Sequence, residues 1–186
     1  MIIGVTGLAA SGKDTVAHFF EEKGFTHISL SAILREIAEA EGVPLEVKNL
    51  TDFGNSLREE HGHGYLAKKA LEKIPENGTI SSIRQVGEVD ILKENPHFVL
   101  VAVEAPVEVR FRRLQERGRT DDVKTLEEFK AVEAKQAHGT GGAMNLQAVM
   151  ARADYHLDNS GDLENLNKNL DELYAKITED IKQKGN

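Results

Sequence analysis

Met1-Ile2-Ile3-Gly4-Val5-Thr6-Gly7-Leu8-Ala9-Ala10-Ser11-Gly12-Lys13-Asp14-Thr15-Val16 opens the chain, and the change of pattern within this stretch decides the fold. Residues 1–6 are apolar and rich in β-branched side chains, which reads as a short buried strand. Glycines at 7 and 12 then bracket a turn. Val16, Phe19 and Phe20 follow at helical spacing, with a stop at Gly24. The opening is therefore a strand, a glycine-bearing loop and a helix, in that order.

Gly7 to Lys13 satisfies the first seven positions of the phosphate-binding loop pattern, directly after a strand and before a helix, where that pattern belongs. Glycines let backbone N–H groups close round phosphates, a helix N-terminus adds positive potential, and Lys13 can reach the terminal phosphate oxygens. Gly7, Ala9, Ala10, Ser11, Gly12, Lys13, Asp14 and Thr15 are thus the candidate ATP-binding residues. A glycine turn carrying a solvated lysine is the competing reading, and the flanking elements argue against it. At the eighth position Asp14 stands where Ser or Thr normally gives a hydroxyl to magnesium, with Thr15 next. Two readings stand for Asp14: a hard oxygen ligand for Mg2+, or an acid favoured by the dipole in a first helical turn.

Outward from this unit, residues 25–29 form a second strand, with Ser31 as a plausible cap for a helix over 32–41 that ends at Gly42 and Pro44. Residues 51–74 are helical, broken into two helices at His61-Gly62-His63-Gly64. Residues 79–83 and 98–103 are apolar runs fit for buried parallel strands, separated by a short helix over 88–94. Pro106 starts another helix, and a polar helix over 126–137 leads into the glycine-rich run 138–142, a candidate lid. Residues 155–158 give a last strand. Leu163, Leu166, Leu170, Leu173, Ile177 and Ile181 form an apolar stripe on the closing helix. This alternation predicts a three-layer parallel α/β/α fold, and 186 residues suit one domain, 1–186.

Composition narrows the functions. A net charge of −8 argues against a general nucleic-acid surface, and the absence of cysteine removes disulfides and thiolate chemistry. No signal peptide or membrane-length apolar run is present, so no membrane partner is expected and cytoplasm is the expected compartment. Against this acidic average, Arg110, Arg112, Arg113, Arg117 and Arg119 fall within ten residues and suggest a focused anion site. Arg110, Arg113 and Arg117 share a helix face by spacing. A solvated basic face paired with Glu108 and Glu116 is the alternative.

Several stretches together resemble the P-loop proteins related to adenylate kinase and dephospho-CoA kinase, within the nucleoside monophosphate kinase superfamily. They are the loop at 4–16, Ser29-Leu-Ser-Ala-Ile-Leu-Arg-Glu, Gly54-Asn-Ser-Leu-Arg-Glu-Glu-His-Gly, Ile83-Arg-Gln-Val-Gly-Glu-Val, Ala105-Pro-Val-Glu-Val-Arg-Phe-Arg-Arg-Leu, Arg117-Gly-Arg and Ala153-Asp-Tyr-His-Leu-Asp-Asn-Ser-Gly. The resemblance covers almost the whole chain. It implies a P-loop NTPase fold of the nucleotide kinase type with a five-stranded parallel sheet and acceptor-side helices over about 31–75. It also implies a mobile lid over about 117–145. Arg35 and Arg58 match the substrate-binding positions, and Arg117 and Arg119 the lid. Asn159 and Gly161 match the adenine-side loop, where a helix cap is an equally compatible role.

The activity so implied is ATP- and Mg2+-dependent phosphoryl transfer to a small acceptor, a nucleoside or deoxynucleoside monophosphate. Lys13 would stabilise the γ-phosphate, Asp14 place the metal, and Arg35, Arg58, Arg84, Arg117 and Arg119 clamp phosphates. Two acids usual in such relatives are missing: Ala32 stands at one position, and Ser81 and Ser82 precede Ile83-Arg84 at the other. Their loss motivates a reading of another class, a nucleotide-binding regulatory module with weakened chemistry; dephospho-CoA kinase-like activity is the other alternative. His61 and His63 read as an exposed corner rather than a metal pair. Glu88 is expected to hold Arg84 by an i, i+4 pair.

Overall fold

β1 (Ile2–Thr6) is buried at all five positions because it runs through the middle of a sheet covered on both faces. The structure, a computed structural model, describes residues 1–118, 123–137 and 145–184. Within them the chain runs β1, α1 (Lys13–Glu22), β2 (Thr26–Ser29), α2 (Leu30–Ala40), α3 (Val47–His61), α4 (Tyr65–Leu71), β3 (Gly78–Ser81) and α5 (Val86–Lys93). It continues with β4 (Phe98–Glu104), α6 (Val107–Arg117), α7 (Leu126–Ala137), α8 (Leu146–Met150), β5 (Tyr155–Asp158) and α9 (Leu163–Lys184). The strands form one five-stranded sheet in the order β2-β3-β1-β4-β5, every pair parallel. This is the expected α/β P-loop fold.

Two-residue alternation sorts the core. Ile3, Val5, Val99 and Val101 point to one face, where α1 supplies Val16 and Phe20 and α9 supplies Leu170 and Ile177. Ile2, Ile80 and Leu100 point to the other, against Leu30, Leu66, Val89 and Leu92 from α2, α4 and α5. Gly4 shares that second face with Ile2, and a Cβ there would lie 2.7 Å from the Phe98 ring, so the position holds no side chain.

Several local expectations shift. Ser29, not Ser31, is the N-cap residue of α2, so Ser31 lies in its first turn. α3 starts at Val47, because helical pairing begins where Leu50 can bond back to Glu46. α5 starts at Val86, two residues before the expected start, since Gln85 and Glu88 form a capping box there. α8 was not expected; its five residues are too few to show a period. His61 and His63 are exposed as expected, and among the described residues no three His, Asp or Glu are grouped to hold a metal. Among the described residues no helix is long and apolar enough to cross a membrane.

The parallel register brings all strand carboxyl ends to one edge: Val5 lies beside Ser81, Ser81 beside Ser29, Thr6 beside Ala102 and Glu104 beside Asp158. Loops leaving that edge gather round the loop after β1.

Candidate active site

Gly7 and Gly12 hold the loop open by conformations that L side chains avoid, with φ of 146° and 100°. A Cβ on Gly7 would strike the Val103 carbonyl, and one on Gly12 the Asn159 amide. Ala10 also takes a left-handed φ of 57°, although it has a side chain. Gly12 is the N-cap residue of α1, and no side chain caps that helix, so its first-turn amides have no side-chain acceptor. That is an anion cradle with its donors unspent.

Lys13 folds back over the loop, donating from Nζ to the Gly7 carbonyl at 2.9 Å and the Leu8 carbonyl at 2.7 Å. Its pKa is lowered to about 8, first by burial and then by the Arg84 charge, with Asp14 opposing. Asp14 and Thr15 are exposed in the first turn of α1. A single carboxylate beside the phosphate cradle suits Mg2+, which typically takes one or two protein carboxylates and completes its shell with phosphates and water. Asp14 offers one such carboxylate oxygen, so the residues present fit that ion.

The arginines of α6 have divided tasks. Arg110 is buried at 4% exposure and donates from Nε to the Ala105 carbonyl at 2.8 Å and from Nη1 to the Ala9 carbonyl at 3.2 Å. The same guanidinium makes a bidentate pair with Glu133 of α7, its Nη2 donating to Oε2 at 3.0 Å. Arg113 donates to the carbonyls of Asn159, at 2.9 Å, and Gly161, at 3.0 Å. Shared spacing thus does not give Arg110 and Arg113 a shared anion: each braces a loop. Arg117 is exposed in the last turn of α6, and Arg119 lies outside the described residues, as does the run 138–142.

Asn159 lies beside the loop after β1, and Gly161 follows it in the bend before α9. The Asn159 side chain donates to the Ser11 carbonyl at 2.7 Å. A groove of about 420 Å³ opens next to it, lined by Thr15, Arg112, Arg113, Asn159, Gly161 and Leu163. Ser11 Oγ is buried and finds no hydrogen-bond partner among the described residues.

Arg84 lies in the loop three residues after β3, within electrostatic reach of Lys13. It keeps accessible surface, yet the surrounding walls lower its pKa by desolvation, with Glu88 opposing and Arg58 and Arg35 adding to the fall. Arg35 of α2 and Arg58 of α3 are thus within electrostatic reach of Arg84, and Arg84 is within reach of Lys13. Glu88 is the acid among the three arginines. It does not simply hold the Arg84 side chain, as spacing suggested: its Oε2 accepts from the Arg84 and Gln85 backbone amides at 2.8 and 3.1 Å. Its Oε1 lies 3.6 Å from Arg58 Nη2. Burial raises its pKa, and those amides and the Arg58 charge oppose the rise. Arg58 Nε is buried with no hydrogen-bond partner among the described residues.

Ala32 is exposed in the first turn of α2, and no carboxylate replaces it at that position. At the other departure, Ser82 joins Ser29 and Ser31 in a hydroxyl cluster, and Ser81 Oγ bonds His27 Nε2 at 2.8 Å. Neither this cluster nor Glu133 was singled out from the sequence. Ser29, Ser31 and Ser82 carry no sequence signal for a cluster that forms only when two strand ends meet, and the partner of Arg110 lies 23 positions away on another helix.

A family profile described as AAA domain matches residues 6–130. A UPF0200 protein of Thermococcus kodakarensis is 35% identical over 95% of this chain and 100% of its own length. A UPF0200/UPF0201 protein of Archaeoglobus fulgidus is 31% identical over 97% of this chain, which spans 57% of that relative. Among solved structures, TT1252 from Thermus thermophilus superposes with a TM-score of 0.64 at 23% identity, covering 95% of this chain and 97% of that one. Shikimate kinase from Bacteroides thetaiotaomicron gives 0.61 at 14%, covering 96% and 98%. Dephospho-CoA kinase from Campylobacter jejuni gives 0.53 at 16%, covering 95% and 96%. At those identities the solved structures speak for the fold, that of P-loop kinases. The sequence matches go further, and on them the chain belongs to the UPF0200 family, carrying the AAA domain on a P-loop kinase fold.

Proposed function

We propose that this protein transfers the terminal phosphoryl group of ATP to a small acceptor that itself carries a phosphate, such as a nucleoside or deoxynucleoside monophosphate. The observation that carries the reading is the imbalance of charge on the acceptor side. Arg35, Arg58 and Arg84 act on one another electrostatically, and Arg84 in turn acts on Lys13. Glu88 among the three arginines pairs with Arg58 at 3.6 Å and accepts from two backbone amides, one carboxylate against three guanidiniums. A partly buried excess of cations favours an anion in the same space.

The missing acids support the same choice of acceptor. An alcohol acceptor must lose a proton as it attacks, and that needs a positioned base. Positions 32 and 82 hold alanine and serine. A phosphate monoester is already largely dianionic at neutral pH and attacks without one. In the step, an acceptor phosphate oxygen bonds to the γ-phosphorus as the bond to the β–γ bridging oxygen breaks, and ADP leaves with that electron pair. No proton need be released. Lys13 and the first-turn amides of α1 hold the donor phosphates, and Arg35, Arg58 and Arg84 orient the acceptor. Asp14 would hold magnesium, which when bound neutralises phosphate charge.

The groove beside Asn159 and Gly161 supports a place for the donor base, with Arg113 fixing the loop that forms its wall. Arg117 and Arg119 are assigned to the donor phosphates on the resemblance. The test is a coupled ADP-release assay. Monophosphate acceptors should stimulate release at least about tenfold over background, alcohol acceptors such as shikimate and dephospho-CoA should not, and Lys13→Ala should remove the stimulated rate. If no phosphate-bearing acceptor stimulates ADP release, the reading is wrong.

A further inference from the structure

Ser82 has φ of 62°, a left-handed conformation taken by only one other described non-glycine residue, Ala10. For a side chain with a Cβ this backbone is strained, and strain of that kind persists where the surroundings hold it in place. Glycine would adopt the same turn without cost.

What the conformation achieves is visible in the hydroxyl contacts. Ser82 Oγ lies 3.2 Å from Ser29 Oγ and 3.3 Å from Ser31 Oγ, and Ser29 and Ser31 are 2.9 Å apart. Two sides of this triangle are longer than a good O–H···O bond, so the hydroxyls are held loosely to one another. All three are half-buried, at the carboxyl ends of β2 and β3 and in the first turn of α2. Ser31 and Arg35 are one turn apart on the same face of α2, and Ser82 precedes Arg84 by two residues. Ser31 thus shares α2 with Arg35, and Ser82 shares the loop after β3 with Arg84. The triangle is uncharged, and each hydroxyl can turn its proton outward.

We infer that Ser82, supported by Ser29 and Ser31, is a specificity-determining residue of the acceptor site, donating its hydroxyl to an oxygen of the phosphate-bearing acceptor. The left-handed turn aims that donor. This rests on the phosphotransfer reading above and adds a neutral contact to its cationic ones. Because the hydroxyls need not give up a charge-balancing partner to bind, they discriminate by geometry rather than by net charge.

Ser82→Gly separates the strain from the hydroxyl. Strain relief should raise Tm by about 2–4 °C. Loss of the donor should lower acceptor kcat/KM about tenfold while the KM for ATP stays within about twofold. Ser31→Ala removes a supporting hydroxyl without touching the turn, and should lower acceptor kcat/KM without raising Tm. If Ser82→Gly raises Tm and leaves acceptor kcat/KM within twofold of wild type, the inference fails. It fails equally if Tm drops and both substrates weaken together, since the triangle would then be a brace for the strand ends. A wild type that no phosphate-bearing acceptor stimulates would sink the phosphotransfer reading itself, and the acceptor role with it. An active wild type beside an equally active Ser82→Gly sinks only the role of Ser82.

Discussion

Lys13 stands between two sets of partners. In the free protein its ammonium is held by the Gly7 and Leu8 carbonyls, in a setting that drops its pKa to about 8 through burial and the nearby Arg84. A bound triphosphate supplies negative charge and pushes that pKa back up. The bound state then takes up a proton wherever the free lysine has lost one, so raising the pH disfavours binding. ATP affinity should be level up to about pH 7.5, where the lysine is charged and the phosphates are ionised, and should fall as pH rises through 8, by at most about tenfold per unit. Calorimetry at pH 7, 8 and 9 measures this, and Lys13→Arg, whose charge is fixed, should flatten the curve. A wild-type affinity that does not change across that range would remove Lys13 from the phosphate site.

At the scale of elements, the loop after β1 is shaped by helices far from it in sequence. α6 carries Arg110 beneath the loop to the Ala9 carbonyl, and α7 supplies Glu133 to balance that buried charge. Breaking such a pair from one side leaves an uncompensated charge, whereas replacing both members by apolar groups of similar volume is often close to neutral. Glu133→Leu should therefore cost about 3–5 kcal/mol in urea unfolding. Arg110→Met combined with Glu133→Leu should recover most of that. The double variant still lacks the donor to Ala9, so its ATP affinity should stay about fivefold weaker than wild type, the equivalent of about 1 kcal/mol. Equal affinities would mean that the Arg110 contact to Ala9 does not shape the loop.

At the scale of the molecule, the sheet separates two apolar clusters, and the site sits at its edge rather than in either one. Leu170 on α9 is fully buried under the face that α1 shares. Leu170→Ala should destabilise the protein by about 2–5 kcal/mol in urea unfolding and leave ATP affinity within about twofold, because the loop is set by β1, α6 and the Asn159 side chain. A large affinity loss in the folded variant would show that α9 shapes the site as well as the core.

The sequence by itself determined the sheet, the loop and its lysine, because these depend on patterns read along a few consecutive residues: two-residue alternation, helical spacing and glycines at required turns. Asn159 and Gly161 were singled out only through the resemblance, and their place against the loop came from the fold, where the Asn159 side chain donates to the Ser11 carbonyl. Tertiary structure alone decided which cations serve the site. Arg110 and Arg113 share a face by spacing, yet one turns under the loop to Glu133 and the other to the Asn159 and Gly161 carbonyls. Arg35 on α2 and Arg58 on α3 come within reach of Arg84 in the loop after β3, and Arg84 within reach of Lys13. The Ser29, Ser31 and Ser82 triangle depends on strand order and a single left-handed residue. The physical reason is range: backbone geometry is fixed by neighbours in the chain, whereas the partner of a long or polar side chain is fixed by what the folded layers bring within a few ångströms of it.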